Sequence, residues 1–311
     1  MTKSQMLKIA LVVVLVAVGI GAVLIFSNSI GFTYANSEKY TAGGADITDR
    51  VENLDVNWKS GNIALVYHAG KEISITEEGN REITGDDRLR WWLDGTTLRI
   101  QYAKSGRFRL FDNLDKTLTI SLPEGITLQT AKIHTTSGNI DIPELAADEA
   151  ELTVTSGSVS AVAEVRKMKA GATSGDLNLR LGGKTESLTA EVTSGSIAAE
   201  LGDADYAKVS CTSGGIRISG RVGEAEVSAT SGRVDVRLDA FRQLDISVTS
   251  GDVTAALPEH PGFTCTAEVT SGEVNVGLAM VKEGNTYYCG DRSGKCTIRA
   301  TSGNIRIEKA D

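Results

Sequence analysis

Aligned on a recurring threonine, the apolar positions of this chain fall into fixed columns. Thr-Ser-Gly begins at Thr136, Thr155, Thr173, Thr193, Thr212, Thr230, Thr249, Thr270 and Thr301, at intervals of 19, 18, 20, 19, 18, 19, 21 and 31 residues. Three residues before the threonine the column runs from Ile133 to Ile298. Four residues after it the column runs from Ile140 to Ile305 and is aliphatic in every unit, and the sixth position, from Ile142 to Ile307, is again apolar throughout. These columns alternate with polar ones at period two, the pattern of a strand with one buried face.

The parity of the buried columns changes across the motif, from odd offsets before the glycine to even offsets after it. A one-residue slip would turn every later side chain to the wrong face unless the backbone bends. Glycine permits that bend through a positive φ or a bulge. Each unit therefore predicts a strand, a glycine corner, a strand and a return loop, with corners at Gly138, Gly157, Gly175, Gly195, Gly214, Gly232, Gly251, Gly272 and Gly303.

Two short strands cannot bury their apolar face alone, but stacked units close a continuous core. The expected fold is all-β: a single-stack parallel β-solenoid of roughly 19-residue coils, nine or ten of them, about 45 Å long at ~4.8 Å per coil. A β-sandwich of antiparallel hairpins is the alternative. It explains neither the constant unit length nor the repeated phase switch, and a propeller blade needs about twice the length. Stacked Thr and Ser read as hydroxyl ladders satisfying the corner. The functional alternative is a threonine face that contacts a polysaccharide or ordered water.

The same template matches Trp58-Lys59-Ser60-Gly61-Asn62-Ile63-Ala64-Leu65, with Val56, Trp58, Ile63 and Leu65 inward and a corner at Gly61. Irregular β coils are thus expected over 46–130, and the regular solenoid over 131–311 with an insert at 280–297. Trp91 to Ile100 predicts a hairpin about Asp94-Gly95, and Thr117 to Leu122 a strand ending at Pro123. Trp58, Trp91 and Trp92 read as cap and core rather than a ligand cage. Leu145 to Glu151 reads as a loop bulge or one helical turn. The last corner leaves eight residues, so Glu308, Lys309 and Asp311 are read as charged gatekeepers of an open edge. If they fail, the stack becomes an end-to-end homo-oligomer.

Ile9 to Phe26 is apolar and uncharged, and about 27 Å long as a helix. With Lys3 and Lys8 before it, the run predicts a transmembrane helix over 9–27, residues 1–8 cytoplasmic and the rest of the chain extracytoplasmic. A signal peptide cleaved near Thr33-Tyr34-Ala35 is the rival reading. Residues 28–45 show no period and read as a stalk.

Composition adds little to this picture. Thirty-three glycines and four prolines suit many tight turns, while a net charge of −8 argues against nucleic acid as a partner. Lys104, Arg107 and Arg109 read as a solvated hairpin tip. Cys211 stands in a core column. Cys289 and Cys296 bracket the insert, so a disulfide across its neck is expected outside the cytoplasm. Cys265 and Cys296 share the offset five residues before the motif and form the competing pair. No paired Cys-x-x-Cys accompanies the scattered His68, His134 and His260, so neither a metal nor a cofactor is expected. The adjacent carboxylates Glu77-Glu78 and Asp86-Asp87 point to opposite faces of a strand and read as solvated turn charges, and no catalytic signature is present.

The Thr-Ser-Gly-x-aliphatic-x-apolar units, the Trp-x-Ser-Gly-x-Ile segment at Trp58 to Ile63 and the N-terminal apolar run together resemble bacterial envelope proteins of the "putative adhesin" β-strand-repeat type, of unknown function. The resemblance covers nearly all of the chain beyond residue 45. It implies a cell-surface protein with an adhesive or scaffolding role, or an accessory part of envelope-stress sensing; the partners expected for a binding rod are cell-wall glycan, another envelope protein or a host ligand, and no enzyme activity is expected. It supplies no catalytic residue.

Overall fold

The computed structural model describes residues 33–106 and 113–310. Among these, 24 strands join one continuous sheet, and the helices are two single 3-10 turns, Ser37–Lys39 and Gly85–Asp87. Successive units pair in parallel with the motif in register, serine on serine from Ser137 through Ser156, Ser174, Ser194, Ser213 and Ser231 to Ser250. The inward column Ile140, Val159, Leu177, Ile197, Ile216, Val234 and Val253 is nowhere more than 1% exposed. Each such side chain contributes roughly 1.5–3 kcal/mol by leaving water. The architecture is a stack of flattened coils with one continuous core.

All ten expected corner glycines have positive φ, between 97° at Gly61 and 143° at Gly251. The expected return loops are absent from four coils. Val159–Ser174, Leu177–Ser194, Ile197–Ser213 and Ile216–Ser231 are unbroken strands through the place where a loop was predicted. Their ladders shift register between Ala163/Lys167, Leu181/Lys184, Leu201/Ala204 and Gly220/Arg221. A bulge turns the chain while keeping its backbone groups paired, which a loop inside a stack could not do. Leu145 to Glu151 is likewise largely strand, within Ala146–Ser156.

The coils are not stacked in chain order at either end. Asn53–Ser60, which leads into the Gly61 corner, pairs on one edge with Leu128–Ser137 and on the other with Thr97–Gln101. The outermost N-terminal coil is therefore Thr97–Gln101 with Lys116–Pro123, and the chain passes over the Gly61 coil before descending to Gly138. At the other end Gly294–Ser302 lies between Gln243–Ser250 and Gly262–Ser271. The spatial order is Gly251, Gly303, Gly272, not the order of sequence. Each outermost coil is thus joined at both its ends to deeper coils.

This revises the expected open edge. Ile305–Lys309 is covered by Val274–Val276, and Lys309 pairs with Glu259 at 2.7 Å. The insert expected at 280–297 is folded against the end coil. Thr286–Gly290 folds back antiparallel onto Gly262–Ser271, and Val281–Glu283 adds a further strand. At the N-terminal end the predicted hairpin is present as Arg90–Asp94 and Thr97–Gln101. Thr41–Ala42 and Ala45–Ile47 extend the cap outward.

The stalk expected over 28–45 is folded in its described part. Tyr34 Oη donates to the Ala103 carbonyl at 3.0 Å, and Tyr40 packs edge-on against Trp92. The segments assigned to the cytoplasm and to the spanning helix, 1–8 and 9–27, lie outside the described residues, as do Arg107, Arg109 and Asp311. No helix among the described residues is long and apolar enough to cross a membrane.

Candidate binding surface

Between the end coils, stacking gives an outward side chain a neighbour one coil above and one below. The charged columns use this to cancel. Lys169 pairs with Glu151 at 2.7 Å, Lys167 with Glu149 at 3.0 Å, Arg166 with Glu186 at 2.9 Å. Exposed pairs of this kind contribute only about 0–1 kcal/mol each. The hydrogen bond from Lys167 holds the Glu149 carboxyl below its ordinary range.

The strands that follow the glycine corners differ. Across four coils their outward positions stack as Ser160, Asn178, Ala198 and Arg217, beside Val162, Arg180, Glu200 and Ser219. The small side chains of Ser160 and Ala198 in the first row, with Asn178 and Arg217, line a shallow groove of about 410 Å³. Ala198 lines it, as do Val162, 43% exposed, and the Arg180–Glu200 ion pair at 3.2 Å. The arrangement offers apolar contact and fixed hydrogen-bonding groups to a ligand lying across several coils.

The sequence profile of the Toastrack DUF4097 family matches residues 51–308. The chain belongs to that family. Two solved structures resemble this Toastrack chain at 14% identity. One is named a putative cell adhesion protein, from Clostridium sporogenes, and covers 87% of this chain and 100% of its own with a TM-score of 0.23. The other is named a putative adhesin, from Bacteroides fragilis, and covers 86% of this chain and 97% of its own with a TM-score of 0.33. No curated protein matches.

The Toastrack corner is closed by the residue after the glycine. Asn139 N donates to Asn62 Oδ1 at 3.0 Å, Ser158 N to Asn139 Oδ1 at 2.9 Å, and Ser196 N to Asp176 Oδ1 at 2.7 Å. The same ladder recurs where Asn304 N meets Asp252 Oδ1 at 2.9 Å. The motif's serines are exposed from Ser137 onward, whereas Thr155 Oγ1 is buried without a hydrogen-bond partner. The corner glycines are accordingly structural, and none of them lines the groove.

A second cleft, of about 470 Å³, opens beside Gly61 and Gly138 at the N-terminal end. Beneath it sits a group the sequence reading overlooked. Lys116 is fully buried, with Nζ 2.7 Å from Glu77 Oε2 and 2.6 Å from the Asp87 carbonyl, and also donating to the Tyr102 carbonyl. Its ammonium faces the rings of Trp58 and Tyr102 at 4.9 and 4.1 Å. Glu77 Oε1 in turn accepts the Leu89 N–H at 2.8 Å. Glu77 and Asp87 are therefore not the solvated turn charges expected. Alternation was the available signal, since Lys116 is in phase with inward Leu118 and Ile120.

Trp58 is core, its indole N–H bonded to the Lys116 carbonyl at 2.8 Å, and Trp91 and Trp92 are half-buried in the cap. Lys104 pairs with Asp86 at 3.2 Å. His68 and His134 bond locally, to the Glu72 carbonyl and to Thr153 Oγ1, each at 2.9 Å, and burial lowers the His134 pKa. No group of three or more His, Cys, Asp or Glu side chains is placed to hold a metal ion among the described residues.

All four cysteines are buried thiols. The pair expected across the insert, Cys289 with Cys296, is not brought together. Their strands lie on opposite edges of Gly262–Ser271, about 9.6 Å apart at ~4.8 Å per strand. That exceeds the roughly 7 Å limit between bridged Cα atoms. Cys289 lies opposite Phe263, and Cys296 lies opposite Cys265.

Proposed function

We propose that this Toastrack chain is a membrane-anchored, extracytoplasmic binding module of the bacterial envelope that performs no catalysis. The single observation that carries the reading is the groove along the Ser160–Arg217 row, an open multi-coil surface set beside faces whose charges are paired off. The groove suits an extended polymer, and cell-wall glycan is the polymer nearest an anchored domain. The uncharged run from Ile9 to Phe26 behind Lys3 and Lys8 supports the anchor and its orientation.

The test is retention of the detergent-solubilised full-length chain on isolated cell wall, compared with an Ala198→Arg variant that fills the groove from an outward position. Retention lost in the variant, with an unchanged circular dichroism spectrum, is the expected result. Equal retention of both proteins, or none of either, overturns the reading.

A second reading rests on the C-terminal edge. Val274–Val276 pairs with Ile305–Lys309 on one side only, and unpaired strand edges template association. A self-associating scaffold predicts a mass that rises with concentration in sedimentation of the full-length chain. A constant protomer mass would exclude it.

A further inference from the structure

Cys265 and Cys296 stand directly opposite each other on neighbouring parallel strands, Gly262–Ser271 and Gly294–Ser302. Both point into the core, 0% and 3% exposed. Neighbouring strands hold such Cα atoms about 4.8 Å apart, inside the roughly 4.4–6.8 Å that a disulfide spans. Their side chains share a hydrogen bond, which together with burial raises the Cys296 thiol well above its ordinary range. The other two cysteines lack this arrangement. Cys211 lies between Val192 and Ala229 in its column, and Cys289 faces Phe263.

The position matters as much as the pairing. Gly262–Ser271 belongs to the outermost C-terminal coil, and Gly294–Ser302 is the strand that returns beneath it, out of chain order. A bond between them fastens the end coil to the strand it covers.

We propose that Cys265 and Cys296 are a disulfide-forming pair, oxidised by thiol–disulfide exchange into an inter-coil bond that clasps the C-terminal end of the stack. The oxidant is a disulfide compound, either a small molecule or a protein dithiol–disulfide carrier. One thiol, deprotonated, attacks the oxidant to give a mixed disulfide and expel one oxidant thiolate. The second thiolate attacks the mixed disulfide, the Cys265–Cys296 bond forms, and the other oxidant thiolate leaves. Two protons pass from the protein thiols to the two released thiolates, and the oxidant takes up the two electrons. Because both sulfurs are buried, exchange runs while the end coil is open or before it docks. The clasp does not depend on the groove or on its ligand.

The experiment equilibrates the full-length chain in detergent with oxidised glutathione, then denatures it without reductant, alkylates it with iodoacetamide and maps the peptides. The expected result is a linked pair of peptides containing Cys265 and Cys296, two hydrogens lighter than the reduced pair, with alkylation confined to Cys211 and Cys289. The Cys289→Ser variant retains the link, and the oxidised protein unfolds at a higher denaturant concentration than the reduced one. Alkylation of all four cysteines, stable glutathione adducts at either residue, or a link that includes Cys289 overturns the proposal.

Discussion

A Cβ placed on Gly175 would stand 1.8 Å from the carbonyl oxygen of Gly157 in the coil beside it. Two demands meet there: a φ of 140° that L side chains rarely adopt, and a backbone contact with no room for a methyl group. Gly175→Ala is expected to destabilise the fold by roughly 2–6 kcal/mol, from about 1–3 for the strained backbone and a similar amount for overpacking. Gly183→Ala, where φ is 63° and nothing lies within 4 Å, isolates the backbone cost alone, at about 1 kcal/mol. Denaturant unfolding of the two variants measures the difference, and equal losses would show that inter-coil contact at the corner is unimportant.

The corner ladder has a gap that can be filled. Gly215 follows its corner glycine where Asn139 and Asp176 offer side-chain oxygens to the next coil, and glycine has none. A Cβ there meets nothing nearer than 3.8 Å, and its φ is not in the left-handed region. Gly215→Asn is expected to stabilise the chain by about 1 kcal/mol, through a new hydrogen bond to the Arg233 N–H and a less flexible unfolded chain. A rise in the denaturation midpoint at unchanged slope is the measurement, and a lowered midpoint would refute the ladder's role.

Lys116 and Glu77 stabilise the N-terminal end as a pair. Lys116→Met strands a Glu77 carboxylate whose side chain is 8% exposed, at an expected cost of about 3–5 kcal/mol. The double variant Lys116→Met, Glu77→Leu removes both charges and should recover most of that loss. Failure of the second substitution to rescue the first would mean that the backbone carbonyls around Nζ, rather than Glu77, dominate.

Tyr67 donates its hydroxyl to the Glu144 carbonyl. Burial first, then the Glu144 carboxylate, pushes its pKa from 10.0 up to about 12. The fold therefore favours the protonated phenol. Its contribution is complete below pH 10, where the unfolded chain also keeps the proton, and disappears as pH rises from about 10 to 12. Tyr67→Phe should flatten the decline in stability across that window, measured by denaturant titration at stepped pH. An unchanged decline would place the alkaline sensitivity in other groups.

Much of the coil was legible in the sequence for a local reason. Strand alternation and the positive φ of a corner glycine concern residues one or two positions apart, so Ile140, Gly138 and their counterparts announce their roles wherever they occur. The bulged returns escaped notice because a bulge at Leu181 to Lys184 leaves no fixed residue behind, only a ladder that resumes in register.

What sequence alone determined, then, is the repeat, its parity switch and its glycine corners. Tertiary structure decided which coil lies beside which, and three features follow from that choice. The return of Gly294–Ser302 beneath Gly262–Ser271 sets Cys296 against Cys265 instead of Cys289. The crossing of Lys116–Pro123 over the Gly61 coil buries Lys116 with Glu77. The in-register stacking of Ser160, Asn178, Ala198 and Arg217 opens the groove. Each joins residues roughly 20 to 60 positions apart, where a shared offset from the motif names the column, as it does for Cys265 and Cys296, but only the pairing of strand edges selects the neighbour.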